Sequence, residues 1–162
     1  MNADRRRKLE KDVRRLILAA SDMDQAAAAA TALQSESDGA LARALETAMV
    51  VCYLRPFTKS DLQLGRDYVP GSGEDASAHA ELERLRHKVY AHTDNASGRR
   101  AEIDVTPPDA ADVVRVVWKE EWLPYPRENL PFVISLCKRL AQKLRNDAAA
   151  TQMKLDGLAE DV

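Results

Sequence analysis

Downstream of Pro124 and Pro126, Leu130, Val133, Ile134, Cys137, Leu140, Ala141 and Leu144 recur at the spacing that lines up side chains on one side of an α-helix. An apolar stripe of this kind must be buried against another element. The rest of the chain favours helices as partners: hydrophobic residues make up 45% of it but aromatics only 5%, and Ala and Leu prevail over the β-branched residues that strands prefer. The expected fold class is all-α.

Further helical patterns run through the chain. Leu9, Val13, Leu16, Ile17 and Ala20 predict a first helix from Asp4 onward. Its continuation through Gln25 and the alanines at 26–30 has high helix propensity but few large side chains to pack. A solvent-flanked extension, or a second short helix capped by Ser21 or Asp22, is expected there. After a polar break at Ser35, Ser37, Asp38 and Gly39, with Ser37 or Asp38 as cap, Leu41, Leu45, Ala48 and Cys52 predict a second helix that Pro56 stops. Residues 57–77 read as a turn-rich connection around Pro70, Gly71, Ser72 and Gly73, with room for one helical turn at 59–64. A third helix is expected from about residue 74 to 94, striped by Leu82, Leu85, Val89 and His92. Residues 98–105 look extended, and Val113, Val114, Val116, Val117 and Trp118 favour a strand or short β-hairpin insert before the last helix, though a helix over 109–121 fits as well. One domain over 1–147 and a frayed helical or disordered tail over 148–162 complete the expectation.

At 162 residues the chain is long enough to bury a core without disulfide or metal staples. Cys52 and Cys137 each lie within an apolar helical pattern and read as buried free thiols, which fits a reducing, cytoplasmic setting. Arg5, Arg6, Arg7 and Lys8 are followed by further charges rather than an apolar run, so a secretory signal is not expected. Neither is a membrane span, because no apolar run approaches the roughly 20 residues one needs. A net charge of −2 excludes a general polyanion binder, yet charge is distributed unevenly. Seven basic residues face three acids between Met1 and Arg15, and five face only Asp94 between Arg84 and Arg100.

The second basic cluster holds the side chains with most chemistry, Arg86, His87 and His92. Imidazole and guanidinium suit metal-free phosphodiester cleavage. RNA supplies its own 2′-OH nucleophile, histidine can move the proton near neutral pH, and the arginine fork can stabilise charge on phosphoryl oxygens. On an ideal helix, however, Arg86 and His92 are roughly 120° apart and about 9 Å apart along the axis. The Arg side chain must reach round, the helix must end before His92, or a symmetric dimer must complete the site.

The spacing of Arg86, the polar His87 and His92 resembles the Arg/His motif of HEPN domains. Leu85-Arg86-x-Lys88-x-x-Ala91-His92-Thr93-Asp94 looks like the corresponding helix of HEPN proteins from abortive-infection and toxin–antitoxin systems, and Tyr53-Leu54-Arg55-Pro56-Phe57 resembles the end of the preceding helix. The likeness spans residues 40–145, with motif specificity at 53–57 and 82–94. It implies a four- to five-helix HEPN-like bundle that dimerises and cleaves RNA without metal, with Arg86, His87 and His92 catalytic and a cognate antitoxin as a further partner. Arg84, Lys88, Arg99 and Arg100 are candidate RNA contacts, Tyr90 a base-stacking residue, and Arg55 and Asp94 supporting groups. The alternatives are a catalytically inactive HEPN module that binds RNA or a nucleotide, and a structural or antitoxin-like interaction protein. No cofactor is expected, and the spacing of His79, His87 and His92 spreads them round a helix without standard metal-ligand geometry.

Overall fold

The computed structural model describes residues 3–87 and 124–160. Among these residues every regular element is helical: α1 (Ala3–Ser35), α2 (Ala40–Leu54), α3 (Gly73–Leu85) and α4 (Leu130–Glu160), joined in part by short 3-10 turns at Arg55–Phe57, Arg66–Tyr68 and Arg127–Asn129. The expected β-hairpin, and the alternative helix over 109–121, lie outside the described residues.

The longest elements, α1 with 33 residues and α4 with 31, form the main pair. Each extends for roughly 45–50 Å at 1.5 Å per residue. They run antiparallel, since Arg127 at the start of the α4 segment donates to the Leu33 carbonyl while Arg145 pairs with Asp24. Of the predicted apolar stripe, Leu130, Val133, Cys137, Leu140, Ala141 and Leu144 are in the core of α4, whereas Ile134 is only partly buried and Leu136, outside the predicted stripe, is buried in addition. Each large side chain buried in this way contributes about 1.5–3 kcal/mol.

The opposing face of α1 departs from expectation. Ala26 and Ala30 are fully buried and Ala27 nearly so, and α1 passes through them unbroken rather than ending in a solvent-flanked extension or restarting. The distance between packed helices depends on the side chains at the contact, so small residues are suitable core residues where α1 and α4 run close together. Asp22 does not cap a new helix; it is buried and paired with Arg55.

A second difference lies in α2. Leu41 is 57% exposed, whereas Ala42, Glu46, Met49, Val50 and Tyr53 are buried, so the inward face is rotated by one residue from the Leu41-Leu45-Ala48-Cys52 stripe. The inward-facing Glu46 masks this phase in the sequence. Its carboxylate accepts the backbone N–H of Tyr125 at 3.0 Å, a donor that lies between Pro124 and Pro126. Neither Ser37 nor Asp38 caps α2. Its N-cap is Gly39, at φ 147°, and Asp38 instead lies 3.5 Å from Arg127.

Pro56 ends α2 as expected, in a 3-10 turn. The following connection has its helical turn at Arg66–Tyr68 rather than at 59–64. It is tied to α4 by the Tyr68 hydroxyl, which donates to Asp147 at 2.8 Å, and by Lys143, whose ammonium sits 4.0 Å over the Tyr68 ring. Gly73, at φ 65°, opens α3 in a conformation that favours glycine. Beyond Asp147, α4 continues as helix to Glu160, with Ala148 buried. Cys52 and Cys137 are buried free thiols. No helix among the described residues is long and apolar enough to cross a membrane.

Candidate functional site

The end of α2, its 3-10 turn and the last turns of α3 meet in a cluster of polar and aromatic side chains. His79, Glu83 and Arg86 follow the i, i+4, i+7 rule and so share a face of α3. Tyr53, Phe57 and Thr58 come from the other side.

At the buried end of the cluster, His79 Nδ1 and the Tyr53 hydroxyl are 2.9 Å apart, and the imidazole edge meets the Phe57 ring with centroids 5.0 Å apart. His79 Nε2 lies 3.6 Å from the Glu83 carboxylate. The tautomer protonated on Nε2 faces that carboxylate and leaves Nδ1 to accept from Tyr53. Burial pushes the His79 imidazole below its ordinary pKa, and the attraction of Glu83 offsets this only in part. Burial likewise raises the Tyr53 phenol strongly, keeping it protonated as a donor.

At the outer end, Arg86 Nη1 donates to Thr58 Oγ1 at 2.7 Å. The threonine hydroxyl donates its own proton to the Leu54 carbonyl at 2.9 Å, which leaves its lone pairs for the guanidinium. Arg86 follows the last residue of α3 with helical dihedrals, φ −56° and ψ −48°. Arg86 is half-buried and His87 exposed. Of the two motif segments, the first thus supplies Tyr53 and, one residue past its end, Thr58, while the second supplies Glu83 and Arg86.

Arg84 projects elsewhere. Its guanidinium makes two bonds to Glu81, at 2.9 and 2.5 Å, and this partner raises its pKa. Arg55 pairs with Asp22 on α1 at 2.7 Å and, among the described residues, is joined to the Arg86 cluster through the backbone, where the Thr58 N–H donates to the Arg55 carbonyl. Lys88, Tyr90, His92, Asp94, Arg99 and Arg100 lie outside the described residues. Sequence reasoning gives Thr58 no role, and weighs His79 only as a metal ligand and Glu83 only as an ion-pair partner of Arg86. The α3 stripe through His79, Glu83 and Arg86 could have revealed the last two, because it runs beside the apolar stripe of Leu82 and Leu85.

Chemically, the cluster offers a guanidinium that, among the described residues, is held by one neutral acceptor, backed by a histidine–tyrosine pair in the core. Comparison with family models, with curated proteins and with solved structures finds no match to this chain.

Proposed function

We propose that this protein is a metal-independent endoribonuclease of HEPN type, acting as a homodimer in a toxin–antitoxin or phage-defence setting. The observation that carries this reading is the Arg86–Thr58 bond, which fixes the motif arginine against the turn that ends the other HEPN-like segment. A guanidinium restrained in this way is preorganised for a phosphoryl oxygen, the largest single contribution available to a site without metal.

In the proposed reaction the ribose 2′-OH attacks the adjacent phosphorus, its proton passing to His92 or His87 as base, while Arg86 stabilises the added negative charge. The P–O5′ bond then breaks, the 5′-oxygen is protonated by a histidine acting as acid, and the products are a 2′,3′-cyclic phosphate and a 5′-OH. The ideal-helix separation of Arg86 and His92 favours a two-fold pairing in which both chains line one basic cleft, with Lys88, Arg99 and Arg100 as phosphate contacts and Tyr90 as a stacking surface.

Purified protein incubated with mixed RNA in EDTA should yield cyclic-phosphate ends, and Arg86→Ala or His92→Ala should abolish them. Absence of wild-type cleavage, or cleavage by Arg86→Ala and His92→Ala unchanged from the wild type, removes the enzyme. Retained RNA binding without products would instead fit the inactive HEPN module.

A further inference from the structure

A second polar site lies away from Arg86. Between α1 and the turn that follows α2 is a cleft of about 490 Å3, lined by Arg15, Leu18, Asp22, Gln25, Arg55 and Leu62 among others. Neither Arg86, His79 nor Glu83 borders it.

Two guanidinium groups, Arg15 and Arg55, line this cleft beside one carboxylate, Asp22. Arg55 gives Nη1 to Asp22, and the rest of its fork meets no acceptor among the described residues, although its side chain is 57% exposed. Arg15 reaches the Gln63 carbonyl at 3.5 Å and Asp12 at 3.0 Å, and its buried Nε has no partner among the described residues. The remaining acceptors are largely engaged: Gln25 Oε1 faces the Cys52 thiol at 3.7 Å, and the Ser60 hydroxyl receives the Leu62 N–H at 3.3 Å. Leu18, Ala19, Pro56 and Leu62 give the cleft apolar walls, and Leu18 stands 49% exposed at its edge.

An occupant suited to this lining carries several acceptors and a negative charge at one end and an apolar body at the other. The volume falls within the range of small-molecule pockets and well above what a bare oxyanion fills. We infer that the cleft binds a small organic anion, a carboxylate or phosphate monoester with an aliphatic or aromatic body, whose oxygens are taken up by Arg55 and Arg15. Asp22 acts as the positioning residue that holds Arg55 at the cleft. This inference stands independently of RNA cleavage.

The test is an NMR titration of the full chain with phenyl phosphate, hexanoate, inorganic phosphate and the neutral benzyl alcohol. Phenyl phosphate or hexanoate should shift the amides of residues 15–25 and 55–62, while inorganic phosphate and benzyl alcohol, each lacking half of the match, bind at least roughly tenfold more weakly. Arg55→Gln, a change at an exposed side chain that circular dichroism should show to be folded, should weaken phenyl phosphate roughly tenfold. The inference is overturned if neither amphipathic anion shifts those amides, if benzyl alcohol binds equally well, or if Arg55→Gln binds as the wild type does. Ribonuclease assays play no part in these outcomes.

Discussion

Arg86 and Thr58, 28 residues apart in sequence, are joined by a 2.7 Å hydrogen bond in which the threonine can only accept, because its proton is given to Leu54. Thr58→Val keeps the shape and removes the acceptor, whereas Thr58→Ser keeps both bonds. If Arg86 acts on phosphate, the valine variant should lose roughly ten- to a hundredfold in cleavage rate through misplacement of the guanidinium, with about 1 kcal/mol or so lost in stability. Single-turnover RNA cleavage beside urea denaturation checks this. Equal rates for valine and wild type would show that Thr58 does not position Arg86.

The Tyr53–His79 pair predicts a pH dependence of folding. His79 has a lowered pKa in the folded state because of burial, so below the ordinary imidazole value of about 6.5 the unfolded chain binds the proton more readily. Its contribution to stability is therefore complete above that value and declines as the pH falls through it. Asp22, whose carboxyl is raised by burial despite Arg55, acts with the opposite sign at lower pH. The His79 effect should accordingly appear as a difference: the urea midpoint of the wild type should fall more between pH 7.5 and pH 5.5 than that of His79→Gln. Parallel curves would dismiss the assignment.

Glu46 provides a third case. It is 1% exposed and accepts the Tyr125 N–H. Glu46→Ala strands that buried donor and leaves a void, so it should cost about 3 kcal/mol, while Glu46→Gln, which retains an acceptor oxygen, should cost about 1 kcal/mol. Equilibrium denaturation of the two variants separates them, and an alanine variant as stable as the glutamine would mean that the Tyr125 amide finds another partner.

What could be read in advance follows from where hydropathy and geometry agree. On α4 every inward position from Leu130 to Leu144 is apolar or small, and the periodic pattern matches the buried face except that Leu136 is covered more fully than Ile134. On α2 a charged residue occupies an inward position, so a hydropathy count shifts the face by one residue toward Leu41. On α1 alanine is ambiguous, since its helix propensity is the same on either face and only the partner helix decides which alanines are covered. In the candidate site, Arg86 was legible because guanidinium chemistry announces itself by residue type. Thr58 was not, because its role depends on a contact across 28 residues that no local pattern encodes.

The alanine segment of α1 allows the packing against α4 to be tested directly. Ala26 is fully buried, whereas Ala28, two positions along the same helix, is exposed. Both alanines become leucine with almost no change in helix propensity, so any difference in stability between the variants comes from tertiary packing. Ala26→Leu forces extra methylene and methyl groups into a filled interface and should cost about 1–3 kcal/mol, whereas Ala28→Leu should remain within about 0.5 kcal/mol of the wild type. Urea denaturation followed by circular dichroism measures both. Ala26→Leu as stable as Ala28→Leu would mean that this stretch of α1 is open to solvent, as its composition alone suggests, and that the long helices are not packed there.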